Sequence, residues 1–278
     1  MNVKRATGIF ILSFFFYIGH AQTLPDIQHA SRKGSFYIYW GWNRAMYTES
    51  DIHFIGENFD FRLENVKSHD VPSSDITNYI NPFKVTIPQT NFRVGYFIQN
   101  HYALSVGFDH MKYVVGTDQV VKINGVINNT ETIYDGNYSN QDITINSGFL
   151  QFEHTNGLNY INMDVRRFDE ILDLNKIKIN LTEGVGAGIL LPKTDATLFG
   201  KNNNDEYHLS GYGMSSLVGL NISFFKFLFL QSEGKFGYIN MPDIRISKHN
   251  EEKASQSFLF AQFNILIGAT FKFHHKKA

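Results

Sequence analysis

His208 and Ser210 are the pair in this chain best suited to nucleophilic chemistry. A histidine within reach of a serine hydroxyl can take its proton and prepare it for acyl transfer. Two residues apart on a strand, they share one face, because strand side chains alternate. No acid at matching depth completes a triad. Glu183 sits mid-strand in an outward apolar register, where a β-bulge near Gly184 or Gly186 would turn it inward. A polar interface pair is the plainer expectation for His208 and Ser210. A second set of suitable types is His69, Asp70 and Ser73-Ser74, with Asp109-His110. Their spacing is not diagnostic, since such clusters ordinarily build turns.

The remaining polar chemistry falls at alternating positions. Asn91, Arg93, Asp109, Asn162, Asp164, Arg166, Lys178, Asn180, Glu233, Lys235, Gln262, Asn264 and Lys272 occupy one face of their strands. Three acids against five bases inside a narrow core predict paired, hydrogen-bonded networks, because isolated buried charges are costly. Asn202 to Glu206 and Asp243 offer oxygen ligands, yet not at the spacing of a calcium loop. The chain has no cysteine, zinc spacing, phosphate loop or nucleophile elbow, so neither metal nor cofactor is expected.

The elements that must hold these residues are strands. In Ser257 to Phe273 the odd positions from Leu259 onward are apolar, with Gln262, Asn264, Thr270 and Lys272 among those between. The run far exceeds a typical soluble strand of about five or six residues and suits a tilted membrane-spanning one of about 9–11. Phe36, Ile38, Trp40 and Trp42 share one face of a first strand, and Tyr37, Tyr39, Gly41 and Asn43 the other. Phe92 to Ile98 and Tyr102 to Phe108 form a hairpin. Both apolar sets are even-numbered, so a turn at Gln99 to His101 pairs Ile98 with Tyr102 and sets Asn91 opposite Asp109. The same reading gives eight strands near 36–47, 90–98, 102–115, 158–168, 177–191, 209–224, 228–239 and 257–273. Short turns then fall at one end, and long connections at 48–89, 116–157, 192–208 and 240–256 at the other. Short periplasmic turns under long external loops are the rule for outer-membrane barrels. The expected fold is all-β: a transmembrane, antiparallel, up-and-down β-barrel of eight strands. Strand fragments in the two longest loops leave ten to twelve as the alternative.

Met1–Ala21 has the form of a secretory signal peptide, with Lys4 and Arg5, an apolar run, and Gly19-His20-Ala21 before Gln22. Its removal leaves 257 of the 278 residues as a single barrel domain, 22–278. Of the 25 basic residues 23 then remain, against 26 acidic ones, a balance without the basic excess of nucleic-acid binders.

In its strand pattern and its aromatic-ended last strand, the chain resembles the small outer-membrane barrels of the OmpA, OmpX and OmpW type. Its Asn, Lys and aromatic bias resembles that of Bacteroidetes proteins. The segment Tyr207-His208-Leu209-Ser210-Gly211 is similar to the His-x-Ser motif of outer-membrane lipid A deacylases, with Gly211 where that family has Asn. His69, Asp70 and the serines supply the types used by the acyltransferase barrels. The resemblance implies a bacterial outer-membrane location amid lipid and lipopolysaccharide, and a structural or interaction role. External loops 48–89 and 116–157 are where a protein partner is expected. A narrow, porin-like solute channel and a lipid A-modifying acyl hydrolase or transferase are the alternatives.

Overall fold

The computed structural model describes residues 31–75, 77–80, 88–225, 227–248 and 251–273. The expected signal peptide and the basic tail from His274 lie outside the described residues. The described residues from Arg32 onward form one compact unit. Its first elements are β1 (Phe36–Tyr47), β2 (Ser50–Gly56), β3 (Phe59–Val66), β4 (Ser68–His69) and a single-turn helix, α1 (Thr77–Ile80). There follow β5 (Thr90–Phe97), β6 (Tyr102–Met111), β7 (Val114–Val115), β8 (Gln119–Ile127), β9 (Gly136–Ile145) and β10 (Leu150–Glu153). Next come β11 (Leu158–Asp173), β12 (Ile177–Leu190), β13 (Lys193–Leu198) and β14 (Lys201–Tyr207). The last three are β15 (Gly211–Phe224), β16 (Leu228–Arg245) and β17 (Lys253–Phe271).

Eight of these form a closed antiparallel ring in the order β1-β5-β6-β11-β12-β15-β16-β17. The first strand closes on the last, from Phe36 opposite Phe271 to Tyr47 opposite Phe260. Asn91 faces Asp109 and Tyr96 faces Leu104, the register that parity demands of the turn between β5 and β6. The β11–β12 turn is fixed by Asn175 in the left-handed region (φ 68°), its N–H donated to the Asp173 carboxylate at 2.8 Å.

Alternation turns the ring inside out. Met163, Val185, Met214, Phe236 and Phe263 are all more than half exposed on its outer surface, while Arg93, Arg166 and Lys235 are fully buried within. Large inward side chains fit because small residues face them. A Cβ on Gly107 would lie 2.4 Å from the Arg93 guanidinium carbon, and one on Gly186 would lie 2.0 Å from Asp164 Oδ1.

The long connections are not loops, and here the structure corrects the sequence reading. Residues 116–157 and 192–208 build β8 to β10, β13 and β14, while β16 and β17 run well into 240–256. None of these widens the ring. The start of β17 pairs with β2, and β3, β8 and β9 continue that sheet beyond the ring. A second sheet runs β14-β13-β10-β7-β4. The two meet as a sandwich through Phe54 and Phe152 (5.7 Å between ring centroids) and Phe61 and Phe149 (5.9 Å). Its core is continuous with Tyr113, Leu158, Tyr160, Leu190 and Phe260 at the end of the ring. The short strands become stable because each finds a facing sheet on which to bury its apolar side.

Candidate functional site

Inward positions of four ring strands, β5, β6, β11 and β16, assemble one ionic chain. Lys235 donates to Asp109, and Arg93 Nη2 stands 4.0 Å from the same carboxylate. Arg93 Nη1 is 2.7 Å from Asp164 Oδ2. Arg166 then bridges Asp164, at 2.9 Å from Nη2, and Glu233, at 2.7 Å from Nη1. The order Lys235–Asp109–Arg93–Asp164–Arg166–Glu233 alternates in sign throughout. All six are at most 2% exposed, three cations against three anions.

Neutral groups complete the coordination. Asn91 and Asn162 donate to Asp109 at 2.8 and 3.0 Å. Arg93 donates to Tyr39 Oη at 2.9 Å and Ser105 Oγ at 3.1 Å. Gln231 and Asn264 donate to Glu233 at 2.9 and 3.2 Å. The Arg166 guanidinium lies 5.5 Å from the Tyr39 ring centroid, a cation–π contact. Gln262 is also buried in this interior. Tyr39 and Ser105 join this network without having stood out in the sequence. Their inward parity was legible, but nothing in their types announced participation.

Two nominated lysines stand apart. Lys178 is half-buried at the short-turn end, bound to Glu170 at 2.9 Å and Asp173 at 2.8 Å. Lys272 is exposed just past β17. Both sit where the strands run out of the enclosed interior, so the expected five bases reduce to three.

The interior is covered at both ends. Toward the short turns, Tyr37, Tyr39, Phe97, Phe168, Phe229 and Leu266 form an apolar layer. Arg32 reaches over it, 5.9 Å from the Phe97 ring, and donates to the Phe168 carbonyl at 3.4 Å and to Asn180. Toward the long connections lies the sandwich core. Within that core His154 accepts or donates through Nδ1 to Thr194 Oγ1 at 3.1 Å, and burial pushes its imidazole down to about 3. At the edge of the extension Asp70 is raised by burial, partly offset by the Ala45 N–H at 3.2 Å.

The candidate catalytic groups are not brought together. His208 and Ser210 lie on the connection between β14 and β15 rather than on a strand, and Ser210 is buried. Ser210 Oγ donates to the His208 backbone carbonyl at 3.3 Å, while the imidazole Nε2 engages Asp243 at 3.1 Å. The histidine has an acid, one that sequence spacing did not reveal, but not the serine. Glu183 remains outward, with Arg167 Nη1 at 4.0 Å, and the β12 register runs through Gly184 and Gly186 without a bulge. His69 is exposed, Asp70 turns to Ala45 and Gln89, and Ser73 caps a local turn with Asn78. His110 bonds Asn159 at 2.8 Å, next to the ionic chain. The side chains of residues 202–205 lie outside the described residues, and Asp243 is held by His208 and Lys253. Among the described residues no group of three or more acidic or histidine side chains is placed to hold a metal ion.

No family model matches the sequence, and no curated protein matches it. In fold the chain is similar to outer-membrane β-barrel proteins. OprG of Pseudomonas aeruginosa aligns with a TM-score of 0.43 and 9% identity, covering 87% of this chain and 98% of that one. The outer membrane protein AlkL in DMPC bilayers aligns at 0.41 and 10%, over 93% and 100%. Neisserial surface protein A aligns at 0.34 and 12%, over 86% and 100%.

Proposed function

We propose that this chain is an integral bacterial outer-membrane protein: an eight-stranded, up-and-down transmembrane barrel that carries a β-sandwich on its external side. Lipid and lipopolysaccharide surround the apolar outer face. The sandwich, built from the regions 48–89 and 116–157 with the two later connections, meets a partner or ligand. The chain works as a structural and interaction protein, neither a pore nor an enzyme.

The alternating ionic chain carries this reading. Eight strands enclose a space that side chains can fill, and here they fill it with charges that neutralise one another. Opening a path would strand buried charges without partners, a cost of several kcal/mol per ion. Apolar layers above and below the chain add to the closure. The outward apolar band suits a hydrocarbon environment, and the aromatic group Phe36, Tyr96, Phe271 and Phe273 suits an interfacial girdle.

The test is reconstitution of the chain into planar bilayers, with folding verified by a heat-dependent gel shift. Folded protein without conductance is the expected result. Single-channel steps that change on replacing Arg93 or Arg166 would favour a narrow solute path instead.

A further inference from the structure

At the end of the sandwich farthest from the ring, four chain turns converge. They are the β2–β3 turn, the β13–β14 turn, the connection after β8, and the connection between β16 and β17. They surround an open cavity of about 450 Å³. Its size falls within the range of about 300–1,000 Å³ usual for small-ligand sites. Loops gathered at one end of a rigid sandwich are a common way to present a binding surface.

The lining has a definite chemistry. Half-buried Phe199 supplies an aromatic face, with Phe59, 7% exposed, packed edge-on against it at 5.8 Å between ring centroids. Asn58 and Asn129 supply amide groups, the Thr130 hydroxyl is engaged by Thr132 and Asp135, and exposed Lys201 and Lys248 line the cavity with one carboxylate, Glu252. The backbone around it is strained. Phe199 has φ 54°, a left-handed value uncommon for a bulky aromatic, whereas Asn129, at the same φ, is of a type that adopts it readily. Contacts of the Phe199 ring with Phe59, Phe61 and Phe149 hold it there. Strain that the surrounding packing over-determines is characteristic of ligand sites.

We infer that this cavity binds an acidic saccharide: a sugar unit whose apolar C–H face stacks on Phe199, whose hydroxyls meet Asn58 and Asn129, and whose acidic substituent is taken by Lys201 and Lys248. Stacking explains the aromatic face, amides read hydroxyls in both donor and acceptor roles, and the excess of ammonium groups over carboxylates sets the charge preference. The inference rests on reading the sandwich as the exposed, interacting end of the protein.

The experiment is titration calorimetry on the full chain folded in detergent, with oligogalacturonate, glucose 6-phosphate, neutral maltohexaose and inorganic phosphate as probes. Oligogalacturonate or the sugar phosphate should bind about tenfold or more tightly than maltohexaose, and rising salt should erode that advantage. The double variant K201A/K248A should lose it, about two- to fivefold for each rim charge. Asn58→Trp, which fills the cavity without altering the charge, should abolish binding of every sugar. Binding of inorganic phosphate as tight as that of either acidic sugar would overturn the inference, leaving a site for any anion. No binding, or binding indifferent to both variants, would also overturn it. A gel-shifted, non-conducting protein that binds no sugar would sink this inference alone, whereas loss of the gel shift would sink the membrane reading beneath it.

Discussion

Replacing Arg166 by methionine probes the interior most directly. Methionine is similarly long and flexible, so the change removes charge more than volume. Arg166 holds two carboxylates within 3 Å, Asp164 at 2.9 Å and Glu233 at 2.7 Å. Without it the interior has two cations against three anions, and Glu233 keeps only the Gln231 and Asn264 amides as near partners. Breaking a buried pair by removing one partner typically costs about 3–5 kcal/mol. Adding Glu233→Gln restores balance, with Lys235 and Arg93 facing Asp109 and Asp164. Because removing a whole buried pair is often close to neutral, the double variant should lose only about 1–2 kcal/mol. The two sites should therefore couple by about 2 kcal/mol or more. Urea unfolding in detergent measures this, read by fluorescence of Trp40 and Trp42 on the outer face of β1 and by the gel shift. A single-variant cost below about 1 kcal/mol, or a double variant as unstable as the summed singles, would refute the ionic chain as what fills the ring.

Two further outcomes follow from the sandwich. Phe61, 1% exposed and in ring contact with Phe54, Phe59, Phe149 and Phe199, should cost about 3–5 kcal/mol on truncation to alanine. Limited proteolysis should then cut within the sandwich while the ring keeps its gel shift. His154 is held neutral by burial to about pH 3, whereas an unfolded histidine titrates near 6.5. Below pH 6.5 the unfolded chain thus binds a proton that the native one refuses, and stability falls with acidification by about 1.4 kcal/mol per unit. Between pH 7 and 5 the His154 share amounts to about 2 kcal/mol. Urea midpoints of the sandwich at the two pH values should converge in His154→Gln, and an unaltered pH dependence in that variant would count against the burial argument.

How much of this was written in the sequence depends on the range of the interactions. Side-chain alternation is local, so the inward and outward faces of β1, β5, β6, β11 and β17 were legible residue by residue. Turn parity is nearly local, and it fixed Asn91 opposite Asp109. The inward register accordingly named every charged member of the ionic chain. It did not say who pairs with whom. That Arg166 reaches Glu233 rather than Asp109 depends on how distant strands close into the ring and on the room left by Gly184, where a Cβ would lie 3.2 Å from Arg166 Cγ. His208 found Asp243, and Ser210 turned to a backbone carbonyl, because a short connection between two sheets set their directions. Phe59, Phe61 and Leu63 advertised a strand, but not the sheet they would pack against. That partner comes from β10 and β13, some 90 to 140 residues later in the chain. Periodicity over a few residues therefore determined which groups face inward. Only closure of the ring and docking of one sheet on another decided their partners, because those contacts join residues that no local pattern relates.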